Sequence, residues 1–147
     1  MKTCTFFGHR QVYDTAQLTS KLFDTMLELI EKRGVNLFFV GDSGSFDHLV
    51  LKVLRGLKKL YPQIEYYVVL SYLRPKSEYC LYTEEETIFP DIMTTAHPRY
   101  AIVKRNNWML DSSDIVITYI NTYCGGAAAF AQKAEKKGME IIKLGIL

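Results

Sequence analysis

Cysteine is scarce in this chain: Cys4, Cys80 and Cys124 are the only three in 147 residues. An odd count with no Cys-x-x-Cys pair argues against a disulfide framework and fits a reducing, cytoplasmic setting. The three histidines, His9, His48 and His97, are far apart and show no ligand spacing, so no metal site is expected. No apolar run approaches the roughly eighteen residues of a membrane span, and the apolar run near the N-terminus is too short for a signal peptide. Neither sign of charge is in excess: 18 basic and 16 acidic side chains leave a net charge of +2. With no basic field to drive binding to a phosphate backbone, nucleic acid is not the expected partner, and no membrane partner is expected either. A Gly-x-Ser-x-Gly elbow is missing, and no Cys–His pairing is evident from residue order, so covalent catalysis has no support.

What is present is the composition of an ordinary folded domain, 48% hydrophobic and 23% charged. The length suits one domain over residues 1–147. Short β-branched and aromatic runs alternate with segments of helical period, which predicts an α/β fold with a mainly parallel sheet flanked by helices, Rossmann-like in layering. The predicted strands are 3–7, 35–40, 64–70, 115–120 and 140–144. Helical period is carried by Leu18, Leu22, Met26, Leu29 and Ile30, then by Phe46, Val50, Val53, Leu54, Leu57 and Leu60, and returns over 99–111 and 126–137. Between 71 and 98 periodicity is lost, and Pro75, Pro90, Tyr72, Tyr79, Tyr82 and Glu84 to Glu86 fill a long loop.

Open α/β sheets bind ligands beyond the carboxyl ends of their strands, so the turns there are the candidates. Gly8, His9 and Arg10 follow the first strand: glycine admits close backbone approach, and the two side chains are donors. Gly41, Asp42, Ser43, Gly44, Ser45, Phe46 and Asp47 join the second strand to a helix, where successive N–H groups can cradle an anion. That turn matches neither a Walker A motif nor Gly-x-Gly-x-x-Gly, and no cofactor is implied. Asp47 could equally be a first-turn acid suited to the helix dipole. Gly125 and Gly126 open a helix whose first turn carries only alanines, leaving its N–H groups uncovered. Arg105 and Asn106 sit on the preceding helix with Trp108 three residues beyond Arg105, a spacing that also suits an ordinary cation–π contact.

Taken in order, Thr5-Phe6-Phe7-Gly8-His9-Arg10, Gly41-x-x-Gly44-x-Phe46-Asp47, Arg105-Asn106-x-Trp108-Met109 and Gly125-Gly126 resemble the short stand-alone members of the bacterial SLOG superfamily. That group is related to the DprA and LOG Rossmann-like proteins. The resemblance implies a sheet whose Gly-rich turns bind nucleotides or ribosyl phosphates through the Gly8 turn, the 41–47 turn, Arg105 and the Gly125-Gly126 helix start. The enzymatic LOG members read Pro-Gly-Gly-x-Gly-Thr-x-x-Glu at the last turn, and here Gln132 takes the glutamate position. Glutamine cannot exchange a proton in that role, so the catalytic residues stay unassigned.

The expected function is therefore binding of a phosphate-bearing nucleotide or ADP-ribose-like ligand, as a sensor or binding module. The expected ligand contacts are Gly8, His9, Arg10, Gly41, Gly44, Phe46, Asp47, Arg105, Asn106, Gly125 and Gly126, with Arg105 supplying charge. The alternatives are a LOG-like phosphoribohydrolase drawing a carboxylate from Asp47 or from Glu84 to Glu86, and a DprA-like nucleic-acid binder. Self-association as a homodimer is also expected, because such relatives commonly do so and the loop is rich in aromatics.

Overall fold

The computed structural model describes residues 2–73 and 82–147, so Pro75, Tyr79 and Cys80 lie outside the described residues. Six strands, β1 (Lys2–Gly8), β2 (Val35–Val40), β3 (Glu65–Val69), β4 (Thr87–Ile88), β5 (Ile115–Tyr119) and β6 (Glu140–Lys143), form one sheet in the order β4-β3-β2-β1-β5-β6. Every pairing is parallel. Four α-helices cover it: α1 (Thr15–Arg33), α2 (Ser45–Leu60), α3 (Ala101–Asp111) and α4 (Gly126–Lys136).

The strand sequences divide the interior into two cores, because successive side chains on a strand point to opposite faces. Cys4 and Phe6 of β1, Phe38 and Val40 of β2, and Ile115 and Ile117 of β5 join the apolar stripes of α1 and α2 on one face. Phe7, Phe39 and Val116 join Met109 and Leu110 of α3 and Phe130 and Ala134 of α4 on the other. A strand covered on both faces has no polar side to show, which is why these runs read as almost continuously apolar. Trp108 belongs to the second core, with its ring edge-on to Phe39 at 5.0 Å. The chain leaves β1 toward β2 on one side and comes back to its other side only at β5. The loops after β1 and β5 therefore part company, opening a crevice at the carboxyl ends of the strands.

Within the long loop expected over 71–98, the described residues 82–98 carry more structure than the sequence suggests. Single 3-10 turns occupy Glu84–Glu86, Asp91–Thr95 and Pro98–Tyr100, and β4 adds a sixth strand where five were expected. Two residues are too few to show a period, and the residue just before them, Glu86, is held by side chains from elsewhere. Glu86 accepts hydrogen bonds from Arg55 Nε at 2.7 Å and Nη2 at 2.8 Å, from the Tyr66 hydroxyl at 2.7 Å and from the Thr83 N–H at 2.8 Å. The helix expected from 99 begins at Ala101, after the turn at Pro98–Tyr100.

This clamp predicts an acid-sensitive edge. The Arg55 hydrogen bonds, supported by those from Thr83 and Tyr66, hold the Glu86 carboxyl down at about 2, below its ordinary 4.5. Its contribution is complete above the unfolded-state value and disappears as pH falls through the folded-state value. Because Arg55 is 41% exposed, screening limits the gain to about 1–2 kcal/mol. Glu86→Gln should lower stability by that amount at pH 7, and the gap to the parent should close between pH 4.5 and pH 2 in urea titrations. An equal gap at both ends of that range would disprove the clamp.

Candidate functional site

The crevice between the β1 and β5 loops is a cleft of about 300 Å³. Of the residues expected at the site from sequence, Gly8, His9, Arg10, Asp47, Arg105, Asn106, Gly125 and Gly126 line it, together with Phe6, Phe7, Ser43, Ile102, Met109 and Ala127. Gly41, Gly44 and Phe46 do not line it. The sheet order β2-β1-β5 sets its plan. The β1 turn lies in the middle, with the α2 start on one side and the α4 start on the other.

In the middle, Gly8 is small because of the core beneath it. A Cβ there would stand 2.3 Å from the ring of Phe46, which is fully buried and stacked on Tyr119 at 5.8 Å. Phe46 thus supports the cleft from beneath and does not line it. His9 accepts a hydrogen bond at Nε2 from the N–H of Asn121 at 2.8 Å, tying the loop after β1 to the residues after β5. That bond requires the tautomer with its proton on Nδ1. Arg10 is exposed at the cleft, and among the described residues its side chain makes no ion pair.

On the α2 side the turn is turned inward. The Ser45 N–H donates to the carbonyl of Arg10 at 2.8 Å, and the Ser43 N–H donates to Asp47 Oδ2 at 3.0 Å. Two of the N–H groups expected to cradle an anion are therefore spent inside the protein. Gly44, at φ 143°, passes so close to Arg10 that a Cβ would meet its Cα at 2.6 Å. A Cβ on Gly41 would meet Asp47 Oδ2 at 2.9 Å and the Arg105 guanidinium carbon at 3.2 Å. These glycines make room for protein groups.

Arg105 differs from the expectation that it supplies the ligand's counter-charge. Its side chain is 2% exposed and paired with Asp42, itself 3% exposed, at 2.7 Å. The remaining donors reach the Val69 carbonyl at 3.2 Å, Ser43 Oγ at 3.0 Å and Asn106 Oδ1 at 2.8 Å. Asp42 in turn accepts from the Tyr82 hydroxyl at 3.2 Å. The carboxylate and the arginine balance each other's charge. Nothing in the sequence shows that these two side chains, 63 residues apart, are bonded.

Asp47 is the carboxylate that faces the cleft. Burial pushes its pKa above the ordinary aspartate range and Asp42 adds to the rise, while the Ser43 N–H and the Arg105 charge oppose it. Only Oδ2 is engaged, by Ser43; among the described residues Oδ1 takes no hydrogen bond.

The α4 side is open. No side chain caps this helix, and the first described bond into it is the one from the Ala129 N–H to the Gly125 carbonyl at 3.1 Å. A Cβ at Gly125 or Gly126 would meet nothing within 4 Å, so tight packing against the sheet does not account for this glycine pair. Gly125 does require its lack of a side chain for backbone reasons, at φ 97°. Gln132, which the resemblance to LOG proteins sets at the glutamate position, lies elsewhere. It lines a separate hollow of about 430 Å³ with Tyr123, Ile141 and Leu147.

Among the described residues no three His, Cys, Asp or Glu side chains are grouped to hold a metal ion, and no helix is long and apolar enough to cross a membrane. No family model matches the chain, and no curated protein matches its sequence. Solved structures do match its shape. DNA processing protein A (DprA) from Streptococcus pneumoniae superposes with a TM-score of 0.68 at 13% identity over 97% of this chain. The chain spans 50% of the length of that DprA chain. The molybdenum cofactor carrier protein MCP from Chlamydomonas reinhardtii matches with a TM-score of 0.59 at 16% identity, over 99% of this chain and 78% of its own. At such identities the likeness is one of fold, and the fold of this chain is the DprA-like, Rossmann-like α/β fold to which the SLOG resemblance pointed.

Proposed function

We propose that the protein binds a small phosphate-bearing nucleotide or ribosyl phosphate in the cleft between the β1 and β5 loops. The observation that carries this reading is the uncapped start of α4, whose glycine pair opens onto the cleft opposite an unpaired Arg10. Helix N–H groups and a fork of guanidinium donors are what a phosphate dianion needs. Arg10, rather than Arg105, is the cation available to it. A volume of about 300 Å³ stands at the small end of ligand pockets, which favours a mononucleotide or sugar phosphate over a dinucleotide. With charges nearly balanced, the chain carries no large excess of basic residues to drive binding to a nucleic-acid backbone.

At a hundredfold excess over its dissociation constant a ligand stabilises the fold by about 2.7 kcal/mol, which a thermal shift reads readily. Arg10→Ala should weaken binding of nucleoside monophosphates about tenfold, the cost of one charge-assisted contact, while leaving the melting temperature of the free protein unchanged. A panel of mononucleotides and sugar phosphates giving no shift at millimolar concentration would remove this reading. Release of free base that Asp47→Asn abolishes would instead assign N-glycosidic hydrolysis, for which Asp47 is the carboxyl in the cleft.

A further inference from the structure

At the carboxyl end of β3, apart from the cleft, lies a hollow of about 530 Å³. The Leu70 N–H donates to the Ile88 carbonyl at 2.9 Å, extending the β3–β4 pairing to the point where Ser71 and Tyr72 leave the sheet on one strand and Phe89 on the other. All three line the hollow, and Met93 from the 3-10 turn at Asp91–Thr95, Pro98 and Ala101 complete its wall. Ala101 is the first residue of α3, and the next one, Ile102, lines the cleft, so the start of α3 stands between the two. Met93 and Ala101 are buried yet join neither of the two cores, which gives the hollow an apolar lining of its own.

Every side chain around the hollow is uncharged. An ion entering it would lose water without gaining a partner, so the occupant is neutral. The rings of Tyr72 and Phe89 and the thioether of Met93 favour an aromatic guest over an alkyl one. One polar group interrupts this lining from within. Ser71 is 4% exposed, and its hydroxyl makes no hydrogen bond to any described residue. The Thr94 hydroxyl, by contrast, donates to the Asp91 carbonyl at 2.8 Å. Leaving a buried hydroxyl without a partner is costly, and a guest carrying one hydrogen-bonding group removes that cost while its ring covers the apolar wall.

We propose that this hollow binds a small uncharged aromatic molecule of the phenol or indole type, with Ser71 as the hydrogen-bond partner of its hydroxyl or ring N–H. The volume lies within the range of small-molecule pockets. Nothing in this assignment depends on the phosphate reading of the cleft.

The test is a methyl NMR titration of the parent protein and Ser71→Ala with phenol and with toluene, which has nearly the same shape but no hydroxyl. Both compounds should shift the methyl signals of Met93 and Ala101 and leave that of Ala127, in the cleft, in place. The ratio of phenol to toluene affinity should fall about fivefold in Ser71→Ala, the scale of one hydrogen bond between neutral groups. Toluene bound by the variant as well as by the parent certifies that the hollow is intact. No saturable shift at Met93 with either compound, shifts centred on Ala127 instead, or an affinity ratio that Ser71→Ala leaves unchanged would overturn the proposal.

Discussion

Arg105→Ala is expected to cost the fold about 3–5 kcal/mol, because it removes the positive charge paired with the buried Asp42 carboxylate. Domains of this kind are stable by only about 5–15 kcal/mol, so the variant should melt far below its parent. From the sequence alone Arg105 reads as a ligand contact, and its removal should then weaken binding and spare the fold. The ion pair reverses that ordering. Removing both charges, as in Asp42→Leu with Arg105→Met, should recover most of the loss, since the penalty comes from the unmatched carboxylate more than from the missing attraction. Urea denaturation of the two single variants and the double variant checks this. A loss below about 1 kcal/mol for Arg105→Ala would mean that Asp42 finds water or another donor, and that the guanidinium is free for ligand after all.

Phe46→Ala should cost about 3–5 kcal/mol, the usual range for emptying a buried aromatic site. The ring is fully buried, stacked on Tyr119 and overlaid by Gly8. Gly8→Ala alone should cost about 1–3 kcal/mol, because its methyl group would press into the ring where backbone and ring cannot both give way. In the Phe46→Ala background the same Gly8→Ala change should cost almost nothing, since the added methyl then enters a cavity. The two effects are therefore strongly non-additive, as contacting residues are. Additive losses in chemical denaturation would show that Gly8 serves a backbone or ligand requirement and not this packing.

Both expectations bear on why glycine is a poor reporter of function in sequence. Gly8, Gly41, Gly125 and Gly126 look alike in the sequence, each at the end of a strand or the start of a helix. Inside the fold, Gly8 and Gly41 accommodate an aromatic ring and an ion pair, while Gly125 and Gly126 face open space. The atoms that decide between these meanings come from residues tens of positions away, and no local spacing encodes them.

The sequence by itself determined the layers of this protein. Alternation of short β-branched runs with helical periods specifies a parallel sheet between helices, and the rule that ligands gather beyond strand ends directs attention to the turns that line the cleft. These properties are local or topological, so they survive without coordinates. Only the tertiary structure decided what each polar side chain does. It joined Arg105 to Asp42 across 63 positions, turned the 41–47 turn inward, left Arg10 at the cleft without an ion pair among the described residues and sent Gln132 to another hollow. Charge is neutralised or liberated by whichever partner lies within about 3 Å, and that distance is set by packing, not by position in the chain.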